Sequence, residues 1–575
     1  MPGPAIHYLV ARSAPKCLGK GLASKAMQIH TPYTNFGSVG PDFLFFNTKD
    51  MDPTIAKFVS TYLEVSTFIE KFKATVIDLV PDQLIAITEA IEAVGDSSVA
   101  YTELQSTLNG FRTTLDGLRG LLQEAVVKHI TGAVDIFGIL KHPIEDGQPA
   151  RQWWWFDTLH YRRSGKFTQF LLKNSTPGTH LHSYALGYLT HFAADTVGHP
   201  FVNTITGGPY RTHSQRHKFV ENFQDVWAYN NAFNSDLVYS ELYKKFDFGI
   251  PGNELPADLR QFIHRAIKSV YGSDFGSSIE EQDVDNAYQL WFKWFRSSTS
   301  SGTIPAPRPY SITAEFQQAW EQFQSNASGA FDFIGSGGGG GGIMGFFAAL
   351  AALILGPILL ALALIDFIIG SILTIGMAPI RIMLSIVYEY IYTAFKNYRL
   401  GVALNGFAFP LVEHLSQPAA LHTTDSGVAD NRGVKASDIY ARYPLLKYTG
   451  MGRESHLVYP RSLSEINNST PSPLTYLNET PSKYYRGNVT YAAGIISKIK
   501  SLTEPDLYGF HKQMRKEHLG NACKLTAELY AYSHRGVIPD LNLDADRGIG
   551  YKCWRQGIDD LSPSPISTPV NVNFI

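Results

Sequence analysis

Seven of the 18 histidines in this 575-residue chain, His160, His180, His182, His191, His199, His213 and His217, fall between residues 160 and 221. In LGYLTHFAADTVGHPFVN, His191, Asp195 and His199 recur every four residues, so on a helix they span only about 80° and face one way. In RHKFVENF, His217 and Glu221 repeat the step and place a second histidine–carboxylate pair on one side of another helix. Imidazoles and carboxylates stacked in this way are a ready set of zinc ligands. Polar residues on solvated helix faces would explain any one of them, but explain five residues in two such patterns poorly. Neither histidine is followed by Glu in the H-E-x-x-H order, which speaks against peptide hydrolysis on that template.

Other residues in the region carry weaker signals. His213 rivals His217, because it could reach in from the preceding loop, whereas His180 and His182 alternate rather than stack and read as ordinary polar residues. Trp153, Trp154 and Trp155 could line a lipid or choline pocket, but packing against a helical bundle is the simpler reading. Cys17, Cys523 and Cys553 are few, odd in number and far apart, which excludes a disulfide scaffold and a cysteine-rich zinc site.

These motifs together resemble the zinc-dependent phospholipase C family. The resemblance extends the set to His7 in AIHYLVA, Asp42 in GSVGPDFLF and His160 in WWWFDTLHYRRSGKF, ahead of His191, Asp195, His199, His217 and Glu221. It implies an all-helical catalytic domain in which these eight residues hold two or three zinc ions, with Asp42 also a candidate general base. The wording HFAADTVGHP looks closer to the animal phospholipase D that cleaves glycosylphosphatidylinositol anchors than to the secreted bacterial enzymes. The stretch between Asp42 and His160 is long for the family and reads as an inserted helical region.

The elements that must position these residues read as mainly α. Asp52-Pro53 looks like a helix start, followed by Ile55, Phe58, Val59, Tyr62, Leu63 and Ile69 at helical spacing; Pro81 interrupts, and a second helix can follow it. Leu104, Leu108, Phe111, Leu115, Leu118 and Leu122 form one apolar stripe of a bundle helix. Residues 153–233 read as helices broken at Pro177-Gly178 and Gly207-Gly208-Pro209, a bundle able to hold metal between facing helices. The expected organisation is a helical catalytic domain over 1–334 with its insertion at about 50–150, a glycine linker at 335–342, an apolar helical hairpin over 343–400 and a loop-rich C-terminal region over 401–575. Within the last, a helix is expected around Pro505 to Tyr532, and Asp540, Asp544 and Asp546 read as a solvated turn.

Ile343 to Ile365 are 23 uncharged residues, which as a helix reach ~35 Å and exceed the ~30 Å of a bilayer core. The segment could insert in membrane, dock on lipid or form a core hairpin; length and lack of charge favour membrane association, although Pro357 and Asp366 weaken a single span. Charge balances, with 49 Lys+Arg against 51 Asp+Glu, so no nucleic-acid partner is expected. The N-terminal MPGPAIHYLVARSAPK does not read as a secretory signal, which suggests an intracellular, membrane-associated enzyme or an effector exported by a dedicated apparatus. Several N-x-S/T triplets, among them those at Asn468, Asn478 and Asn488, matter only in a secretory lumen. The leading functional expectation is phosphodiester hydrolysis of glycerophospholipids. Its rivals are a zinc phosphodiesterase acting on inositol-linked anchors or single-stranded nucleic acid, and a membrane-inserting toxin or structural protein with a non-catalytic metal site.

Overall fold

A computed structural model describes residues 3–51, 53–72, 97–124, 154–206, 210–272, 278–300, 307, 314–327, 343–371, 377–404, 406–412, 520–536, 538, 540 and 543. Among these residues the structure is mainly helical and contains no strand. The helix expected after Pro81, the break at 207–209, the glycine run at 335–342, the triplets at Asn468, Asn478 and Asn488, Cys553, Asp544 and Asp546 lie outside the described residues, as does most of 401–575.

Three short helices open the chain: α1 (Pro4–Cys17), α2 (Leu22–Ile29) and α3 (Thr31–Val39), followed by a 3-10 turn at Gly40–Phe46. Next come α4 (Pro53–Phe72) and α5 (Ser97–Glu124), and then the run α6 (Trp155–Tyr161), α7 (Ser164–Lys173), α8 (His180–Thr206) and α9 (Tyr210–Phe233). Helices α10 (Ala257–Tyr271), α11 (Glu281–Thr299) and α12 (Ala314–Asn326) precede the apolar pair α13 (Ile343–Ser371) and α14 (Met377–Leu404). The C-terminal region contributes α15 (Gly520–Ser533), the later part of the helix expected around 505–532.

Helix α8 is the centre. Every side chain from His182 to Thr196 is buried, so its sequence shows no amphipathic stripe, as a helix enclosed on all sides requires. Helices α1, α2, α3, α7, α9 and α15 all pack against it. The approach of α3 is closest: a Cβ on Gly187 would fall 2.2 Å from the Thr34 carbonyl oxygen, and one on Gly37 would fall 2.2 Å from that of Tyr184. Two facing glycines therefore let the backbones touch.

Helices α4 and α5 fall in the stretch expected to be an insertion. All six residues of the α5 stripe, from Leu104 to Leu122, are buried, and the helix packs on α4 and α13. Asp366 of α13 pairs with Arg112 of α5, so the charge that interrupts the apolar run meets a cation on a neighbouring helix. Helices α13 and α14 pack on each other as the expected hairpin, with Asn397 donating to the Leu353 carbonyl at 2.6 Å. In the stretch Ala351–Ser371, 56% of the most apolar window is covered by protein, while Leu353 faces outward.

Two returning segments reach the centre. After α14, Asn222 of α9 donates to the carbonyls of Gly406 and Ala408 at 2.8 and 3.2 Å, and the Trp294 indole of α11 donates to that of Phe407 at 2.9 Å. The chain around α15 lies on α1 and α8; Gln169 of α7 donates to the Ser533 carbonyl and accepts from the Ile538 N–H. Asp540 departs from its expected place in a solvated turn: it is 3% exposed and accepts from the Lys166 N–H at 2.9 Å at the start of α7.

Burial pushes the Asp540 carboxyl up to about 6. The raised value means that the folded state favours the protonated form. The resulting stabilisation, of order ~3 kcal/mol, is complete below the ordinary carboxylate range and is lost as pH rises through about 6. Asp540→Asn should therefore melt higher than the parent at pH 7.5, with the gap closing near pH 4; a gap independent of pH in thermal melts would refute this linkage.

Candidate metal centre

All eight residues singled out in the sequence are buried, and they gather in two clusters along one side of α8. The first holds His7 from α1, Asp42 from the 3-10 turn, His160 from α6, and His191 and Asp195 from α8. Asp195 is its pivot. One of its oxygens lies 3.4 Å from His7 Nε2, and the other lies 3.4 Å from His160 Nε2 and 3.0 Å from His191 Nε2. Asp42 faces the same histidines, 3.2 Å from His160 Nε2 and 3.7 Å from His7 Nε2.

The second cluster lies one turn further along α8, where His199 meets His217 and Glu221 of α9. Glu221 Oε1 is 2.8 Å from His217 Nε2 and 3.7 Å from His199 Nε2. The side chain of His213 lies outside the description. His180 pairs instead with Asp258 of α10, and His182 Nδ1 bonds to the Ser175 hydroxyl at 3.0 Å, so both stand apart from the clusters.

Backbone carbonyls orient three of the imidazoles. Nδ1 of His160 contacts the Phe156 carbonyl at 2.6 Å, that of His191 contacts the Ser38 carbonyl at 3.1 Å, and that of His199 contacts the Leu543 carbonyl. A carbonyl can only accept, so each Nδ1 carries the proton and each Nε2 presents a lone pair to the cluster. Leu543 also donates its N–H to the His160 carbonyl at 2.9 Å, which ties the C-terminal segment to both clusters.

The remaining donors are placed by backbone geometry. Gly40 sits at φ 57, and a Cβ there would fall 2.4 Å from the His191 ring, so only glycine lets the chain turn against that imidazole and deliver Asp42. Helix α1 has no side-chain cap of its own. Instead the Ala5 and Ile6 amides each donate at 3.0 Å to the carboxylate of Asp225, one turn beyond Glu221 on α9. This distant cap fixes the helix that carries His7. Burial pushes the Asp225 carboxyl well up, and the two amides only partly offset that.

Electrostatics suit a cation. Burial and the neighbouring His191 hold the His7 imidazole below its ordinary value, so it is neutral and able to ligate. Burial alone would raise Asp195, yet His191, His160 and His7 hold it well below the carboxylate range. Glu221 is likewise lowered against burial, by Lys218 and His217. Nε2 of His7 and of His191, Oδ1 of Asp42 and both oxygens of Asp195 make no properly oriented hydrogen bond among the described residues. Buried groups of this kind are normally satisfied, and a metal ion among them would supply the partner.

Asp42 and Glu221 open onto one small cavity of about 60 Å³, walled by Phe45, Phe46, Trp291 and Trp294. Lys218 reaches into the same wall, 3.3 Å from Glu221 Oε2 and 5.7 Å from the Phe45 ring centre. Gly406 and Phe407 close it from the segment after α14. Trp154 packs on Phe45 and Phe156, and Trp155 packs on Tyr271, consistent with the packing role. Sequence reasoning missed Asp225, Lys218 and the Leu543 carbonyl. Asp225 could have been found, since it continues the four-residue spacing of His217 and Glu221; the carbonyl leaves no trace in residue type.

The fold and centre thus define a mainly α-helical protein with buried histidine–carboxylate clusters fit to hold metal. Residues 137–276 match the family model of zinc dependent phospholipase C, which supports the family resemblance carried by the motifs. That span contains His160, His191, Asp195, His199, His217 and Glu221, while His7 and Asp42 come from outside it. No curated protein and no solved structure matches the chain.

Gly40→Ala should push the His191 ring aside, costing ~1–3 kcal/mol from strain and overpacking. The check is zinc titration of the folded variant: affinity should fall, and wild-type affinity with an unchanged melting temperature would refute the close-contact role of Gly40.

Proposed function

We propose that this chain is a zinc-dependent phospholipase C that hydrolyses the glycerol-side phosphodiester bond of glycerophospholipids. The observation that carries the reading is the pair of buried donor clusters, each with one carboxylate, Asp42 or Glu221, exposed to a shared cavity. His7, Asp42, His160, His191 and Asp195 would hold one or two zinc ions, and His199, His217 and Glu221 another. Bound zinc supplies positive charge for the phosphate and lowers the pKa of a coordinated water toward ~7.

The chain's own residues do the rest. Asp42, at the mouth of the first cluster, is placed to accept the proton of the water that attacks phosphorus. The bond from phosphorus to the glycerol oxygen breaks and that oxygen takes up the proton that Asp42 accepted, giving diacylglycerol and a phosphorylated head group. Lys218 places a fixed cation beside the phosphate, and the aromatic wall excludes water from it. Asp195, enclosed by three imidazoles, holds their rings in position.

The test is hydrolysis of phosphatidylcholine, phosphatidylglycerol and phosphatidylethanolamine, with release of diacylglycerol as readout. Asp195→Ala and His199→Ala should each lose at least a hundredfold in kcat/KM, and a chelator should abolish activity that zinc restores. Full activity in Asp195→Ala, or indifference to chelation, would refute the reading.

A lipid substrate also motivates membrane association through α13. The outward-facing Leu353 on this apolar helix supports that reading, because such a face gains affinity by entering the lipid boundary. Leu353→Glu should then reduce co-sedimentation with phosphatidylcholine vesicles while leaving hydrolysis of a soluble short-chain lipid unchanged. Equal co-sedimentation of variant and parent would overturn the docking role.

A further inference from the structure

A second cavity, about 570 Å³ in volume, lies where the inserted helices meet α11. Its floor is apolar: Met51, Val59 and Leu63 are buried, and Leu121 of α5 and Leu290 of α11 are half-buried. Its polar residues, among them Glu64 and Lys293, are exposed and belong to the rim. An open apolar trough with a charged rim suits an aliphatic chain that enters from water.

Two features join this trough to the metal centre. On α11, Trp291 and Trp294 wall the catalytic cavity, whereas Leu290 and Lys293 line the trough. At 100° per residue, Leu290 lies about 40° around the helix from Trp294 and one turn along it, so the two linings are adjacent strips of one helix. The chain beside them behaves alike: Asp42, Phe45 and Phe46 face the catalytic cavity, and Thr48 and Met51, a few residues on, face the trough. The cavity of about 60 Å³ has room for a phosphate but not for a lipid tail, which must leave along a neighbouring surface.

We infer that the trough between α4, α5 and α11 binds one fatty acyl chain of the lipid whose phosphodiester lies at the metal centre. This deepens, and rests on, the phospholipase reading. It also gives the inserted region between Asp42 and His160 a function, because α4 and α5 build the trough's outer wall. Each methylene that leaves water is worth ~0.8 kcal/mol, about fourfold in kcat/KM at most.

The experiment compares butanoyl, hexanoyl and octanoyl phospholipids, kept monomeric in solution, with the full chain and with Ala56→Trp and Ser60→Trp, which fill the trough from a half-buried and an exposed position. In the parent, kcat/KM should rise with chain length; in the variants the octanoyl-to-butanoyl ratio should fall at least tenfold. Ser60→Trp, at an exposed position, carries the test if Ala56→Trp does not fold. Binding of dodecylphosphocholine to Asp195→Ala, measured by calorimetry, gives a readout independent of turnover and should weaken at least tenfold when either tryptophan is added. Equal chain-length ratios and equal binding in parent and variants would overturn the trough, including the outcome in which the tryptophans change only self-association of the chain. Absence of turnover on every lipid, with chain binding still sensitive to the tryptophans, would sink the phospholipase reading and leave an acyl-binding site.

Discussion

Asp195 is the constraint on which the rest depends. It is a fully buried carboxylate, and an isolated charge of that kind would be pushed toward its neutral form by the cost of leaving water. Three imidazoles hold it ionised, and none of the three is on the same turn of chain: His191 shares its helix, His160 comes from α6 and His7 from α1. The fold must bring α1, α6 and α8 together within a few ångströms at one point. A central helix enclosed on every side accomplishes this: α1 packs directly on α8, while α6 is held to it through the 3-10 turn and α7.

That requirement explains features that look unrelated along the chain. Glycines at 37 and 187 let α3 touch α8, and Gly40 then turns the chain beneath His191 to present Asp42. Asp225 caps α1 from across the molecule, so α9 supplies His217 and Glu221 to one cluster and fixes the helix of His7 for the other. Carbonyls of Phe156, Ser38 and Leu543 select the ring tautomers. Preorganisation of this kind keeps donor atoms in place against their mutual repulsion and desolvation.

The segments that looked like appendages in sequence also enter the centre. The chain after α14 closes the cavity at Gly406 and Phe407, and its carbonyls are held by Asn222 and Trp294. The chain after α15 brings Leu543 to His199 and His160. Removal of the apolar hairpin would therefore disturb a wall of the cavity beside the metal centre.

Sequence alone determined what depends on local spacing. The four-residue steps of His191, Asp195 and His199, and of His217 and Glu221, fix a shared helix face because helical geometry is set by the backbone. The leucine stripe from Leu104 to Leu122 fixed its buried side for the same reason, and both are as read. His7, Asp42 and His160 came from family resemblance, since no local period links residues so far apart. Tertiary structure decided which of these faces meet, that Asp225 anchors α1, that Asp540 is buried rather than solvated, and that a backbone carbonyl near the C-terminus orients His199. Such contacts depend on packing between distant segments, and a carbonyl is common to every residue, so no residue type could have announced them.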